Sequence, residues 1–279
     1  MVELSVLSEQ EVEQVHEATL RILGEVGIVL TQRDAQALLV DAGARVSGDR
    51  VLLPPSLVER EVGRCPAQVA VRGRGGESAV LGDGSLHWHN VGGVRDVYEP
   101  RTGARRAATL KDVQDSARLL DALDGVTTIT PFFTPQDVPG PVMSLAMYRH
   151  TLPFTTKPVQ GPGVQTAMEV ERAVRMAAVI GPPPEILTLG ISPVSPLNFP
   201  DDITESMMAT ARNGVPLTPL PSPAAGATGP MSLAGSLAQQ NAEVLASIVL
   251  AQLVCPGLPI VYCGRLAMIE PRTAVSVWG

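Results

Sequence analysis

The sequence is short of the features that assign a protein most directly. Three cysteines occur, Cys65, Cys255 and Cys263. Their odd number and lack of metal-type spacing give neither a disulfide framework nor a zinc site, and they read as ordinary thiols of a reducing cytoplasm. No long basic run is present and the formal net charge is −7, which argues against a nucleic-acid-binding surface or an anchor on an acidic membrane. The opening MVELSVLSEQEVEQ has no charged segment followed by an apolar core, so no export signal is expected. The longest apolar run, Val244 to Val254, is broken by Gln252 and is too short to span a bilayer. No stretch of charge or low complexity is long enough to form a disordered tail. A soluble, cytoplasmic protein is the expectation.

Hydrophobic residues make up 45% of the 279 positions, with 26 glycines and 25 prolines; this suits one large α/β domain with a small accessory region. Residues 1–108 carry short, mixed elements. Ser8 with Glu11 reads as a capping box opening a helix with a stripe of Val12, Val15, Ala18, Thr19, Ile22 and Leu23. A second helix is expected from about Arg33 to Asp41, stopping at Gly43, and a third follows the prolines of VLLPPSLVEREVG. QVAVRGR and AVLGDGSLHWHN alternate like strands, and Arg101-Thr102-Gly103 reads as a hairpin tip.

From residue 109 the pattern is regular. Thr109 with Asp112 opens a helix; then five apolar runs, VTTITPFF, FTTKPVQ, EILTLGIS, VPLTPLP and LPIVYCG, alternate with helical segments at a period of about 30 residues. Such alternation predicts βαβ units, a parallel sheet and right-handed crossovers. No G-x-G-x-x-G follows the first strand, so the dinucleotide fingerprint is missing. The strand ends instead carry Pro131, Pro158, Pro193 and Pro221 with polar neighbours, as substrate loops on a barrel rim do. The expected fold is α/β: a TIM (β/α)8-type barrel over residues 109–279, incomplete at about five βα units, behind an N-terminal α+β extension over residues 1–108.

Three stretches sharpen this. LSEQEVEQVHEATLRILGEVGI, NVGGVRDVYEPRTGARRAATLKDVQDSARLLDAL and SLAGSLAQQNAEVLASIVLAQLVCPGLPIVYCG resemble the trimethylamine methyltransferase family, in its order and along essentially the whole chain. The resemblance implies a TIM-barrel enzyme that transfers a methyl group from a methylated amine to the cobalt of a separate corrinoid protein, with no cofactor bound by this chain. Some members carry pyrrolysine; a larger branch lacks it and includes glycine betaine methyltransferases. Family members continue beyond the point matching Gly279 and supply the last barrel strands there. This chain alone is therefore expected to be aggregation-prone or to need a partner, as a homo-oligomer or with a completing fragment.

The sharpest site candidate lies in the last helical segment, where Gln239, Gln240, Asn241 and Glu243 cluster in otherwise apolar sequence. Gln239 and Gln240 share a helix face with Glu243. Two readings stand side by side: Glu243 is a buried acid satisfied by a neighbouring amide or loop N–H, or it faces a substrate cavity. The resemblance supports the second, since an acid matching Glu243 lies beside the reactive residue in the pyrrolysine branch. Substrate-binding candidates are Gln160, Ser192 and Ser222 at strand ends, Phe132 at the end of the first strand, and Arg265, which suits a carboxylate. Trp88 is a candidate cation–π wall. His87 and His89 form an H-x-H whose rings would face one side of a strand, but no third ligand is evident and no metal is assigned. Aromatics are only 3% of residues, which limits any aromatic cage. Two rival readings are a catalytically inactive relative acting as a binding or assembly subunit, and an unrelated barrel lyase or aldolase using Lys157 as a Schiff-base amine.

Overall fold

A computed structural model describes residues 5–278. The first part holds α1 (Glu9–Arg21), β1 (Ile28–Leu30), α2 (Arg33–Asp41), β2 (Arg45–Ser47), β3 (Arg50–Leu52) and α3 (Pro55–Val62). Ser8 N donates to Glu11 Oε2 at 2.7 Å and Ser8 Oγ accepts from Glu11 N at 3.3 Å, closing the expected capping box. The apolar stripe starts later than expected: Thr19 and Leu23 are buried, whereas Val12 is 54% exposed, because α1 meets the rest of the fold around Thr19. Strands β1, β2 and β3 pair antiparallel in the order β1-β3-β2.

Two antiparallel hairpins follow. One joins β4 (Val69–Arg72) to β5 (Ser78–Leu81); the other joins β6 (Asp96–Tyr98) to β7 (Arg105–Ala107), with Arg101-Thr102-Gly103 at its tip. The alternating series then contains α4 (Leu110–Asp121), α5 (Gly140–Arg149), β8 (Val159–Pro162), α6 (Ala167–Ala177), α7 (Pro183–Ile186), β9 (Leu187–Ile191), β10 (Asn198–Phe199), α8 (Asp201–Arg212), β11 (Leu217–Pro219), β12 (Ala224–Ala225) and α9 (Leu233–Val254). Last come β13 (Ala267–Ile269) and β14 (Ser276–Trp278).

Strands β8, β9 and β11 form a parallel sheet in that order, and single parallel bridges extend it from Val159 to Ile129 and from Leu217 to Ile260. The five apolar runs thus pair in parallel and in chain order. The row also extends where no strand of the series was expected. His89 bridges Thr128 and Val94 bridges Phe133, both in parallel. The segment 88–94 is therefore a sixth member of the row, so the parallel pairing crosses the division drawn at residue 108. The β6–β7 hairpin, inserted between this segment and α4, hides the usual strand–helix spacing in the sequence. No barrel closes among the described residues; they form a mixed α/β fold of small sheets in which the parallel row is open.

One apolar cluster unites both halves. Leu23, Leu39 and Leu57 from the early elements share it with Leu189, Met207 and Val249 of the series. Helix α9 is buried along most of its length because α1, α2 and α3 pack on it from one side and α8 and β11 from the other. The early strands join the series as well, since β1 pairs in parallel with β10.

Candidate functional site

Period two splits β9 into two faces. Leu187, Leu189 and Ile191 enter the core, while Thr188, Gly190 and Ser192 line a cavity. Register carries this division to the neighbours. Gln160 pairs with Thr188, and Thr218 with Gly190; Thr130 follows Ile129, which bridges Val159. Paired residues project to the same face, so Thr130, Gln160, Thr188 and Thr218 form a polar row across four adjacent strands. A cavity of about 400 Å³ opens over this row, walled on one side by residues 89–93 and on the other by Leu220, Cys263 and Arg265. A larger open groove, about 740 Å³, lies between α5 and α6, away from the strand ends.

Of the residues singled out from the sequence, Gln160, Ser192 and Arg265 line the cavity together. Ser192 Oγ is committed to the Leu220 carbonyl at 2.7 Å, tying the ends of β9 and β11. Phe132, Trp88, Ser222 and Glu243 are not among the lining residues. Phe132 packs edge-on against Phe133 with ring centroids 4.7 Å apart. Trp88 is 62% exposed, and its contribution is a carbonyl that accepts from Thr127 N at 2.8 Å. Ser222 Oγ is buried without a hydrogen-bond partner.

Glu243, 0% exposed, accepts from Ser195 Oγ at 2.7 Å, Leu197 N at 2.9 Å and Gln239 Nε2 at 3.1 Å. Burial raises its carboxyl above the usual range, against the opposing pull of the hydrogen bonds from Leu197, Ser195 and Gln239. Leu197 has φ 52, a left-handed conformation that bulky side chains rarely adopt. Its carbonyl accepts from Val29 N at 2.8 Å. The acid and β1 thus grip the loop that follows Ser192 from two sides.

The amides beside Glu243 answer to the same logic. Gln240 Nε2 donates to the Arg265 carbonyl at 2.5 Å. Gly264 leaves the room for this, since a Cβ there would lie 2.5 Å from Gln240 Oε1. Asn241 Nδ2 donates to Thr19 Oγ1 at 3.0 Å, and Asn241 Oδ1 accepts from Tyr262 Oη at 2.9 Å. The polar half of α9 is a set of brackets that hold surrounding loops.

The H-x-H does not converge on one site. His87 Nε2 lies 3.1 Å from the Val80 carbonyl, whereas His89 lines the cavity, because regular pairing with the row begins only at this point in the segment. No group of three His, Cys, Asp or Glu suited to a metal occurs among the described residues. Lys157 Nζ donates to the Leu120 carbonyl at 3.2 Å and to the Leu123 carbonyl at 2.6 Å, closing the C-terminal end of α4; it is not a cavity residue. Burial lowers the His89 pKa and raises that of Cys263, so both favour their neutral forms. Arg265 is then the one charged side chain among the cavity's described lining residues, which include no carboxylate.

The trimethylamine methyltransferase (MTTB) family profile matches residues 1–277. The chain belongs to the trimethylamine methyltransferase family. It is similar to the glycine betaine methyltransferase of Desulfitobacterium hafniense (strain Y51), at 33% identity over 96% of this chain and 57% of that protein. It is also similar to trimethylamine methyltransferase MttB of D. hafniense (strain DSM 10664 / DCB-2), at 29% identity over 99% of the chain and 57% of the relative. MttB of Methanosarcina barkeri (strain Fusaro / DSM 804) is 27% identical over 94% and 55%. The chain therefore spans about half the length of these relatives. Within this family member, sequence reasoning missed Thr130, Thr188 and Thr218 and, His89 apart, the wall at residues 89–93. Two of the threonines had a signal: Thr188 and Thr218 are each the polar position within an otherwise apolar run, whereas Thr130 is one of three threonines in VTTITPFF. The wall had none, because its pairing partner lies beyond an intervening hairpin and helix.

Proposed function

We propose that this chain carries the amine-binding part of a corrinoid-dependent methyltransferase acting on a quaternary amine of the glycine betaine type. We further infer that its open parallel row is a sector of a TIM-type barrel, since its members follow one another in chain order with helices between them. The observation that carries the substrate reading is Arg265, the sole charged group among the described residues lining a cavity that holds no acid. A guanidinium grips a carboxylate bidentately and repels a bare ammonium ion. A betaine offers that carboxylate; trimethylamine and tetramethylammonium do not. The glycine betaine methyltransferase of D. hafniense, 33% identical, supports the same choice.

A cavity of about 400 Å³ suits a small zwitterion and not an enclosed corrin ring, in keeping with a corrinoid held on another protein. When it docks, the corrinoid supplies a cobalt(I) nucleophile that accepts the methyl group. The residues of this chain bind and orient. Arg265 holds the carboxylate, Gln160 and the threonine row offer neutral hydrogen bonds, and residues 89–93 exclude water from one side. A quaternary nitrogen has no proton to lose and no lone pair to protonate, so the site needs no general base. Neutral His89 and Cys263 and the absence of an acid from the described lining suit that chemistry.

The test is calorimetric titration of the wild-type chain and Arg265→Met with glycine betaine and with tetramethylammonium. The wild type should prefer glycine betaine. The variant should lose about tenfold to a hundredfold of that affinity, the loss expected for a hydrogen bond to a charged group, and bind tetramethylammonium no worse. Wild-type preference for tetramethylammonium, or unchanged betaine affinity in the variant, overturns the reading.

A further inference from the structure

The wall at residues 89–93 is attached to the sheet in an unusual way. Its two ends pair regularly, and in one register: His89 bridges Thr128 and Val94 bridges Phe133. The Trp88 carbonyl accepts from Thr128 N at 3.3 Å, and the Val94 carbonyl accepts from Thr134 N at 2.8 Å. Continuing that ladder would place the carbonyl of Asn90 on Thr130 N and that of Gly92 on Phe132 N. Neither bond forms among the described residues. The Asn90 side chain instead replaces its own backbone. Its Oδ1 accepts from Thr130 N at 2.9 Å, and its Nδ2 donates to the Thr130 carbonyl at 2.8 Å and to the Val91 carbonyl at 2.9 Å. Only one orientation of the amide satisfies all three.

The backbone between the two regular ends is thereby lifted off the strand and held by one side chain. It contains Val91, 70% exposed, and Gly92-Gly93, with φ 88 at Gly93. This lifted stretch lines the cavity together with Thr130 itself. A stretch anchored by one amide opens more readily than a strand anchored by a full ladder, because local opening needs few bonds to break.

We infer that Asn90 is a latch: a positioning residue that holds Val91–Gly93 as a movable wall of the cavity, and whose release lets the ligand in and out. The inference rests on the amine-binding reading above for the identity of the ligand, but not for the latch. Substituting Asn90→Ala removes all three bonds. Asn90→Asp keeps an acceptor for Thr130 N–H but sets a carboxylate against two carbonyls.

The experiment is amide hydrogen exchange of the full chain combined with glycine betaine titration. In Asn90→Ala, exchange should rise at Thr130, whose N–H the Asn90 side chain accepts, while β8, β9 and β11 keep their protection. Glycine betaine should bind about tenfold more weakly, as expected when the closed wall is populated in about one molecule in ten, and it should dissociate faster. Asn90→Asp should restore protection at Thr130 N–H alone and leave binding weak. Added glycine betaine should slow exchange at Thr130 N–H in the wild type. Unchanged exchange in Asn90→Ala, or faster exchange with unchanged betaine affinity, overturns the latch. If the wild type binds no glycine betaine, the amine reading fails, and the exchange pattern alone then decides whether the wall is latched.

Discussion

Glu243 offers a test in which geometry and titration must agree. Its carboxyl is fully buried and accepts three hydrogen bonds, from Ser195, Leu197 and Gln239. Replacing it with alanine strands the Leu197 N–H and the Ser195 hydroxyl, leaves Gln239 Nε2 with the Thr228 carbonyl alone, and opens a void. With each unsatisfied buried group costing about 1–3 kcal/mol, Glu243→Ala should lose about 3–5 kcal/mol, at the upper end for a single substitution. Glu243→Gln keeps the shape and one acceptor oxygen and should lose only about 1 kcal/mol. The pH dependence is the stronger discriminator. Burial raises the folded-state pKa of Glu243, so the folded chain holds this proton more tightly than the unfolded chain. The resulting stability is fully present below the unfolded-state pKa of about 4.3 and is lost as pH rises through the folded-state pKa. Glutamine does not titrate. The destabilisation of Glu243→Gln relative to wild type should therefore be largest near pH 4 and shrink towards neutrality. Urea denaturation of both proteins between pH 4 and 8 measures it. A gap that widens with pH would mean that the hydrogen bonds outweigh burial, and would refute the reasoning.

Three further substitutions probe the frame around the cavity. A Cβ on Gly161 would lie 1.9 Å from Tyr148 Oη, a hydroxyl that is buried and unpartnered. Gly161→Ala should therefore cost about 1–3 kcal/mol by overpacking. Tyr148→Phe should be near neutral alone and should relieve part of that cost in the double variant, since ring carbons Cζ and Cε1 would still lie 2.6 and 2.8 Å from the added Cβ; purely additive melting shifts would contradict it. Lys157→Met should destabilise by about 1–3 kcal/mol through loss of its charged hydrogen bonds at the end of α4. Borohydride reduction in the presence of a carbonyl compound should leave Lys157 unmodified by mass spectrometry; trapped adduct would revive the Schiff-base reading.

Local signals in the sequence carried much of the fold. The two expected capping boxes, at Ser8–Glu11 and Thr109–Asp112, and the β6–β7 hairpin depend on residues a few positions apart. The parallel order of the five apolar runs followed from the strand–helix period. The sixth segment was hidden because its bond to the row is non-local and partly made by a side chain, Asn90, instead of the backbone. The site was legible in proportion to the same principle. Ser192 and Arg265 follow the ends of apolar runs and Gln160 lies within β8, where chain order predicts position. The direction of Glu243 depends on a loop 46 residues away in sequence, at Leu197, which no periodicity encodes.

That loop explains why an apolar helix retains a polar first half. The chain turns sharply after Ser192, with Leu197 in the left-handed region, and such a turn persists only when its surroundings over-determine it. Glu243 holds it from α9, and Val29 holds it from β1. Gln240, one turn earlier on α9, holds the backbone of Arg265 in the same manner. A single buried helix therefore holds the backbone of cavity-lining Arg265 and the loop that leaves cavity-lining Ser192, through side chains that do not line the cavity themselves. The physical role of the amide and acid cluster is to hold the loop after Ser192 and the backbone of Arg265, which a wholly apolar helix would leave to packing alone.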